Sequence, residues 1–411
     1  MRIAVIGDLQ FRRGEEESIA ESLAQVRALA PDYAVAMGDY CVYGEPDRGA
    51  RWRVCAELLE EMGVRYMPLL GNHDTEFMEG ARNELRIGAW YQAAFGRAER
   101  DALISADGVH LLCLSLSAQP EEGYLAKNVC MMERAQYDWA ARTLDALDGG
   151  PVLLFLHAPL AGNGLRQTPM IHAAATDSYV EQNHHPEWAR ALLRGHPEIV
   201  ACVSAHFHMG QSYDNAISFA RGLWDISCGV ITSASRDGSK HSRLLDVTVR
   251  GLDVYTIDHQ QGGALTLDLH HEGGLLGITQ GPERVRGRYT VHPRDCCLIG
   301  MDTPVACYQD EGRVYIVTEK GYAWEFDQQE QALYGAISRA DGARAVLRAG
   351  DHLVFQPRDG LPFAVRRDDP RRLDRLEGLP RNDVPVQDGG RLLPSLSFTA
   401  RADAAGTWVR W

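Results

Sequence analysis

No C-x-x-C pair occurs among the nine cysteines, no apolar run approaches the ~18 residues of a membrane span, and acidic residues outnumber basic ones, 56 to 42. Each shortage excludes something. An odd number of scattered cysteines, from Cys41 to Cys307, supports neither a disulfide framework nor a thiolate zinc site, so they read as buried apolar fillers. Without an apolar span there is no membrane to expect. A net charge of −14 opposes capture of nucleic-acid polymers, which takes a basic footprint. It does not exclude a small anion, because bound dications invert the potential locally. The opening run Met1-Arg2-Ile3-Ala4-Val5-Ile6-Gly7-Asp8 reads as a strand ending in a carboxylate, with no apolar region of a signal peptide, and a cytoplasmic location is expected.

What is present is a globular composition, 45% hydrophobic and 24% charged, over 411 residues, enough for two domains. From residue 1 to about 260, short β-rich runs alternate with amphipathic stretches, the α/β pattern. Strands are expected at 3–6, 33–37, 66–70, 109–116, 152–156, 199–204, 226–231, 244–249 and 254–257. Helices are expected at 17–29, 51–62, 81–95, 134–147 and 187–193, where apolar residues recur at three-to-four spacing. Beyond residue 260, short strands separated by Gly, Asp and Pro predominate. Segments starting at Gly274, Gly312, Asp351 and Gly390 recur at a spacing of about 39 residues, near the period of a propeller blade. Regular hairpins in a sandwich or barrel produce the same texture and are preferred here. The expected organisation is an α/β domain over 1–260 and a smaller β-rich domain over 261–411.

Five blocks at strand ends carry the chemistry: Gly7-Asp8-Leu9-Gln10, Gly38-Asp39, Gly71-Asn72-His73-Asp74, His157, and His206-Phe207-His208. Together they place carboxylates, carboxamides and four imidazoles at the edge of one sheet. Hydrolysing a phosphate ester at neutral pH takes a strong nucleophile and neutralisation of phosphoryl charge, which a pair of metal ions supplies. Asp39, after Gly38 at the end of a strand, is the natural bridging ligand, and Asp8 serves one ion.

In this order the blocks resemble the calcineurin-like metallophosphoesterase superfamily, whose pattern is D-x-H, G-D, G-N-H-[DE], H and G-H-x-H, over roughly residues 1 to 260. The resemblance implies a four-layer αββα sandwich, two divalent or trivalent metal ions (Mn, Fe or Zn, with Mn favoured), and hydrolysis of a phosphate mono- or diester by a metal-bridging hydroxide. It implies that Asp8, Gln10 and His208 hold the first ion, Asn72, His157 and His206 the second, and Asp39 both. It also gives His73 to the leaving oxygen, with Asp74 orienting His73 by accepting from its other ring nitrogen. Gln10 stands where the pattern has His, and an amide oxygen there shifts preference from Zn and Fe towards Mn or Mg. The alternative is a degenerate, non-hydrolytic phosphate- or nucleotide-binding module with an incomplete first metal site. Val42 occupies the position at which purple acid phosphatases carry a tyrosine ligand, which argues against a tyrosinate-ligated ferric ion.

The stretch 159–186 lacks periodicity and lies directly after His157, as a substrate loop would. Arg166, His172, His184 and His185 within it, and Arg12 after the first block, are the candidate substrate contacts. A small phosphorylated substrate is expected, a phosphodiester or nucleotide by preference. The β-rich half is a candidate platform for a protein partner.

Overall fold

Aliphatic runs of four to eight residues build two six-stranded sheets, and the alternation within each strand decides what covers either face. The computed structural model describes residues 1–10, 12–42, 45–76, 83–119, 130–159, 186–213, 216–220, 222–276, 296–298, 303–318, 322–327, 332–338, 345–350, 352–356, 363–366, 373–375, 391–403 and 406–411. The chain divides into two compact units.

In the first unit, one sheet joins β1 (Arg2–Ile6), β2 (Tyr33–Ala36) and β3 (Tyr66–Pro68) in parallel. It continues antiparallel from β1 through β10 (His241–Thr248), β11 (Gly251–Asp258) and β12 (Ala264–Glu272). The other sheet comprises β4 (Ala102–Ala106), β5 (Val109–Leu114), β6 (Val152–Leu156), β7 (Ile199–Ser204), β8 (Ile217–Ala220) and β9 (Leu223–Ser227), in the order β4-β5-β6-β7-β9-β8. Ile3 and Val5 face inwards with Val35, Met37 and Met67, meeting Leu111, Cys113, Leu153, Phe155 and Val203 of the other sheet. Their neighbours Ala4 and Ile6 face outwards, onto Ile19, Leu23 and Val26 of α1 (Glu16–Ala28), Trp52, Cys55 and Leu59 of α2 (Arg48–Glu61), and Tyr91 and Phe95 of α3 (Asn83–Phe95). On the far side, Leu112, Leu114, Leu154 and Leu156 pack on α4 (Arg134–Asp145) and α5 (Pro186–Gly195). The result is the expected αββα sandwich, and period-two alternation is its cause.

Three strands are not apparent in the sequence: β4, β8 and β12 lie at sheet edges, where partial exposure removes the apolar run. β12 also moves the domain boundary. It pairs with β11 from Gly251↔Glu272 to Asp258↔Ala264, so the boundary expected at 260 falls inside the sheet. Leu275, in the first of the four recurring segments, packs into the inter-sheet core. The strand expected to run to 231 stops at Ser227. Beyond it the chain passes backbone to backbone against Gly7, where a Cβ would lie 1.8 Å from the Gly229 carbonyl oxygen. No helix among the described residues is long and apolar enough to cross a membrane.

The second unit is built from antiparallel sheets. β14 (Pro304–Asp310), β15 (Arg313–Thr318), β16 (Tyr322–Asp327) and β17 (Ala332–Ser338) form one meander. β18 (Ala345–Ala349), β19 (His352–Gln356), β20 (Phe363–Arg366) and β21 (Leu373–Arg375) form the next, with β22 (Arg391–Leu392) added beside β18. The third sheet is β13 (Cys296–Leu298), β24 (Gly406–Arg410) and β23 (Thr399–Asp403), in that order. Tyr315 and Val317 of the first meander pack on Val346, Leu353 and Phe355 of the second, while Val314 and Ile316 face Val409 of β24. Two of the recurring segments, at Gly312 and Asp351, thus mark the second strands of successive meanders stacked face to face. The segment at Gly390 instead supplies an edge strand to the sheet before it. Among the described residues, the second unit is thus a set of separate antiparallel sheets in which consecutive meanders pack on one another.

Leu269 and Leu267 separate core from edge on one strand, being 5% and 49% exposed. Leu269→Ala should destabilise the protein by about 2–5 kcal/mol and Leu267→Ala by about 0.5 kcal/mol or less, read from denaturant unfolding midpoints.

Candidate metal centre

Each of the five motif blocks lies at the C-terminal end of a parallel strand, where open α/β sheets place their ligands. The blocks do not share one sheet, however. Asp8, Asp39 and Asn72 follow β1, β2 and β3 of the first sheet, whereas His157, His206 and His208 follow β6 and β7 of the second. They meet at the seam between the sheets.

Two groups form there: Asp39, His157 and His206, and Asp8, Asp39 and His208, with the ligand atoms of each group within 4.8 Å of one another. Asp39 belongs to both, as a bridging ligand must. His157 Nδ1 donates to the Met37 carbonyl at 2.7 Å, which turns Nε2 towards Asn72 Oδ1 (3.1 Å), Asp39 Oδ2 (3.4 Å) and Asp8 Oδ1 (3.7 Å). Asn72 Oδ1 also lies 3.0 Å from His206 Nδ1, and Asp8 Oδ1 lies 3.1 Å from His208 Nε2. Asp39 Oδ2 is buried without a hydrogen-bond donor. Oxygens and imidazole nitrogens that converge on one another, with an orphaned carboxylate oxygen among them, fit a pair of cations. Gln10 lies beside them, 9% exposed, its backbone N–H donating to the Asp39 carbonyl at 2.7 Å.

The backbone around the ligands is constrained. Among the described residues, Gln10, Asp39, His206 and His208 have φ of 31°, 50°, 68° and 53°, the left-handed region that non-glycine residues avoid. Such conformations persist where surrounding structure enforces them, and here it does. Asp8 Oδ2 accepts from the His206 backbone N–H at 3.0 Å, and Asp39 Oδ1 accepts from that of His73 at 2.8 Å. At Gly71 a Cβ would stand 2.1 Å from Asp39 Oδ1, so only glycine admits the carboxylate.

The electrostatics follow. Burial alone would raise both carboxyls, yet His208 and His157 hold Asp8 below the ordinary carboxylate value. His157, His73 and His206 hold Asp39 far below it. Burial opposes charge on His157, but Asp39 and Asp8 outweigh it and push the imidazole up to about 9. His73 moves the same way: burial lowers it, and Asp39 and Glu76 more than compensate.

Asp74 does not orient His73. Its Oδ2 accepts from the backbone N–H groups of Asp39 (2.7 Å) and Gly71 (2.9 Å), and its Oδ1 from Tyr40 N–H and Trp52 Nε1 (both 3.0 Å). Four donors exhaust it, and it fastens the Gly38-Asp39 turn to the Gly71–Asp74 turn. The carboxylate on His73 is Glu76, whose Oε1 accepts from Nδ1 at 2.6 Å and whose Oε2 accepts from Arg48 at 2.8 Å. Both Glu76 and Arg48 are buried. Neither was singled out from sequence; the available signals were the three-residue spacing of Glu76 from His73 and the helix cap at Asp47, whose side chain accepts from Ala50 N–H and puts Arg48 on the first turn of α2. Cys130 was also missed, with its sulfur 4.0 Å from His206 Nε2. Arg12 is exposed on the loop leading to α1. Arg166, His172, His184 and His185 lie outside the described residues.

A pair of ligand groups sharing one carboxylate at a seam of strand ends is the arrangement of a dinuclear metalloprotein. The chain belongs to the calcineurin-like phosphoesterase family, whose family model matches residues 1–210. Among curated proteins the chain has no match. Among solved structures it is similar to a dimetal phosphatase of Danio rerio, at 15% identity and TM-score 0.45 over 63% of this chain and 96% of that one. It is also similar to a purple acid phosphatase of yellow lupin seeds, at 11% identity and TM-score 0.44 over 65% of this chain and 52% of that one. A third is the NAD nucleotidase of Haemophilus influenzae, at 12% identity and TM-score 0.35 over 67% of this chain and 50% of that one.

The displacement of His157 gives the metal-free protein a pH signature. A folded-state pKa of about 9, above the unfolded value of 6.5, contributes stability that is complete below 6.5 and is lost as pH rises through about 9. After chelation, urea midpoints should therefore fall between pH 6.5 and 9.5, and His157→Gln, which cannot take up the proton, should flatten that fall.

Proposed function

We propose that the protein is a metal-dependent phosphoesterase that hydrolyses a small phosphate ester, a phosphodiester or nucleotide by preference. The observation that carries this reading is the sharing of Asp39 between two ligand groups, with His73 Nε2 3.9 Å from its Oδ2. When bound, two cations supply Lewis acidity to the phosphoryl oxygens and make water a nucleophile at neutral pH. Asp8, Gln10 and His208 would hold one, Asn72, His157 and His206 the other, and Asp39 both. The Met37 carbonyl keeps the His157 lone pair on the ligand side. His73 presents Nε2 next to the bridging carboxylate, where it gives its proton to the departing oxygen as the ester P–O bond breaks and its electron pair stays with that oxygen. Water provides the oxygen of the new P–O bond. The net charge of −14 supports a small substrate over a nucleic-acid polymer. A first ion would have Asp8, Asp39 and His208 as ligands besides Gln10, so the reading does not depend on the carboxamide alone.

With Mn²⁺ the purified protein should contain two ions per chain and hydrolyse bis(4-nitrophenyl) phosphate. Asp39→Asn should lose metal and activity together, and His73→Ala should keep the metal while kcat on a diester with a poor leaving group, such as a phenyl ester, drops about 10²–10⁴-fold. One ion or none, with no turnover of mono- or diesters, would sink the proposal. Gln10→His should shift the preference from Mn²⁺ towards Zn²⁺, seen by competitive metal binding as well as by rate.

A further inference from the structure

We propose that Glu76, clamped by Arg48, is the positioning residue for His73. The inference rests on the phosphoesterase reading, because it concerns the imidazole that serves the leaving oxygen. A side chain has to aim one ring nitrogen at the reacting atoms and keep the other occupied, and a lone imidazole turns freely about two torsions. In this protein the occupied nitrogen is Nδ1, donating to Glu76 Oε1 at 2.6 Å. Glu76 has three torsions of its own, and these are fixed from the other side. Arg48 donates through one guanidinium nitrogen to Glu76 Oε2 and through another to the Glu76 backbone carbonyl, both at 2.8 Å. The guanidinium thus grips side chain and main chain of the same residue, a two-point contact that lysine cannot reproduce.

Burial separates this arrangement from an ordinary surface ion pair. Arg48 is 2% exposed, Glu76 3% and His73 9%, and the Nε2 side of the imidazole is turned to the site. That edge lies 3.9 Å from Asp39 Oδ2. The relay also joins separate parts of the chain: Arg48 opens α2, whereas His73 and Glu76 belong to the turn after β3. Because Asp74 is spent on four other donors, no second carboxylate of the G-N-H-D block is left to do this work. The role that the family pattern suggests for the residue beside His73 has moved two residues along, to Glu76.

The test is a leaving-group series of aryl phosphate diesters with the Mn²⁺-loaded protein. A misaimed His73 harms poor leaving groups, which need the proton, more than good ones, which depart without it. Glu76→Gln should therefore lower kcat on phenyl esters about 10–100-fold and leave 4-nitrophenyl esters nearly unchanged, with KM and metal content as in the wild type. Arg48→Lys should show the same pattern to a smaller extent. Equal loss across the series, or loss that follows metal content, overturns the inference and leaves the phosphoesterase reading intact. Absence of turnover by the wild-type protein on every ester overturns both. Should the variants fail to fold, imidazole ¹⁵N NMR of the metal-free wild-type protein decides. A protonated, hydrogen-bonded Nδ1 assigned to His73 by its loss in His73→Ala supports the relay, and a bare Nδ1 rejects it.

Discussion

Two carboxylates buried together, Asp8 and Asp39, both 0% exposed, are the constraint around which the first unit is arranged. Removing a charge from water costs several kcal/mol unless opposite charge or donors replace the solvent. The surroundings supply both: backbone N–H groups of His206 and His73 and a ring of imidazoles, with Asp39 Oδ2 left without a donor. The left-handed backbone at Gln10, Asp39, His206 and His208 belongs to the same solution. Chains leaving parallel strands must turn sharply for their side chains to converge on those oxygens, and the strain is held by packing behind them.

The cluster of candidate ligands was legible in the sequence because each member follows an apolar strand and because small residues mark the turns, as at Gly38 and Gly71. Strands buried on both faces write themselves as short aliphatic runs, so β1, β2, β6 and β7 were readable; the edge strands β4, β8 and β12 were not, since little of them is buried. The partner of His73 was illegible for a different reason. Asp74 and Glu76 are both acidic, both near His73 and both buried, and only the fold shows that Trp52 and three backbone groups claim Asp74. The meeting of ligands from two sheets was also hidden, since strand order within a sandwich is set by tertiary pairing and not by local pattern.

The second unit shows how far periodicity alone can be trusted. A spacing of about 39 residues identified β15 and β19 as equivalent strands of consecutive meanders, yet the same spacing reached Leu275, which belongs to the core of the first unit, and Arg391, which closes an existing sheet. Regular spacing reports connection length as well as architecture. It takes the facing residues, such as Tyr315 against Phe355, to tell which intervals are repeats.

Because Asp8, Asp39 and Asn72 belong to one sheet and His157, His206 and His208 to the other, any ion bound between them is a rivet through the sandwich. The free energy of holding that ion and the free energy of holding the two sheets in register are then one quantity, linked by mass action. Residues far from the ligands that loosen the inter-sheet core, Phe155 or Met67 among them, would register as weaker metal affinity. In such a protein the supply of metal in its surroundings is itself a determinant of how much folded chain survives.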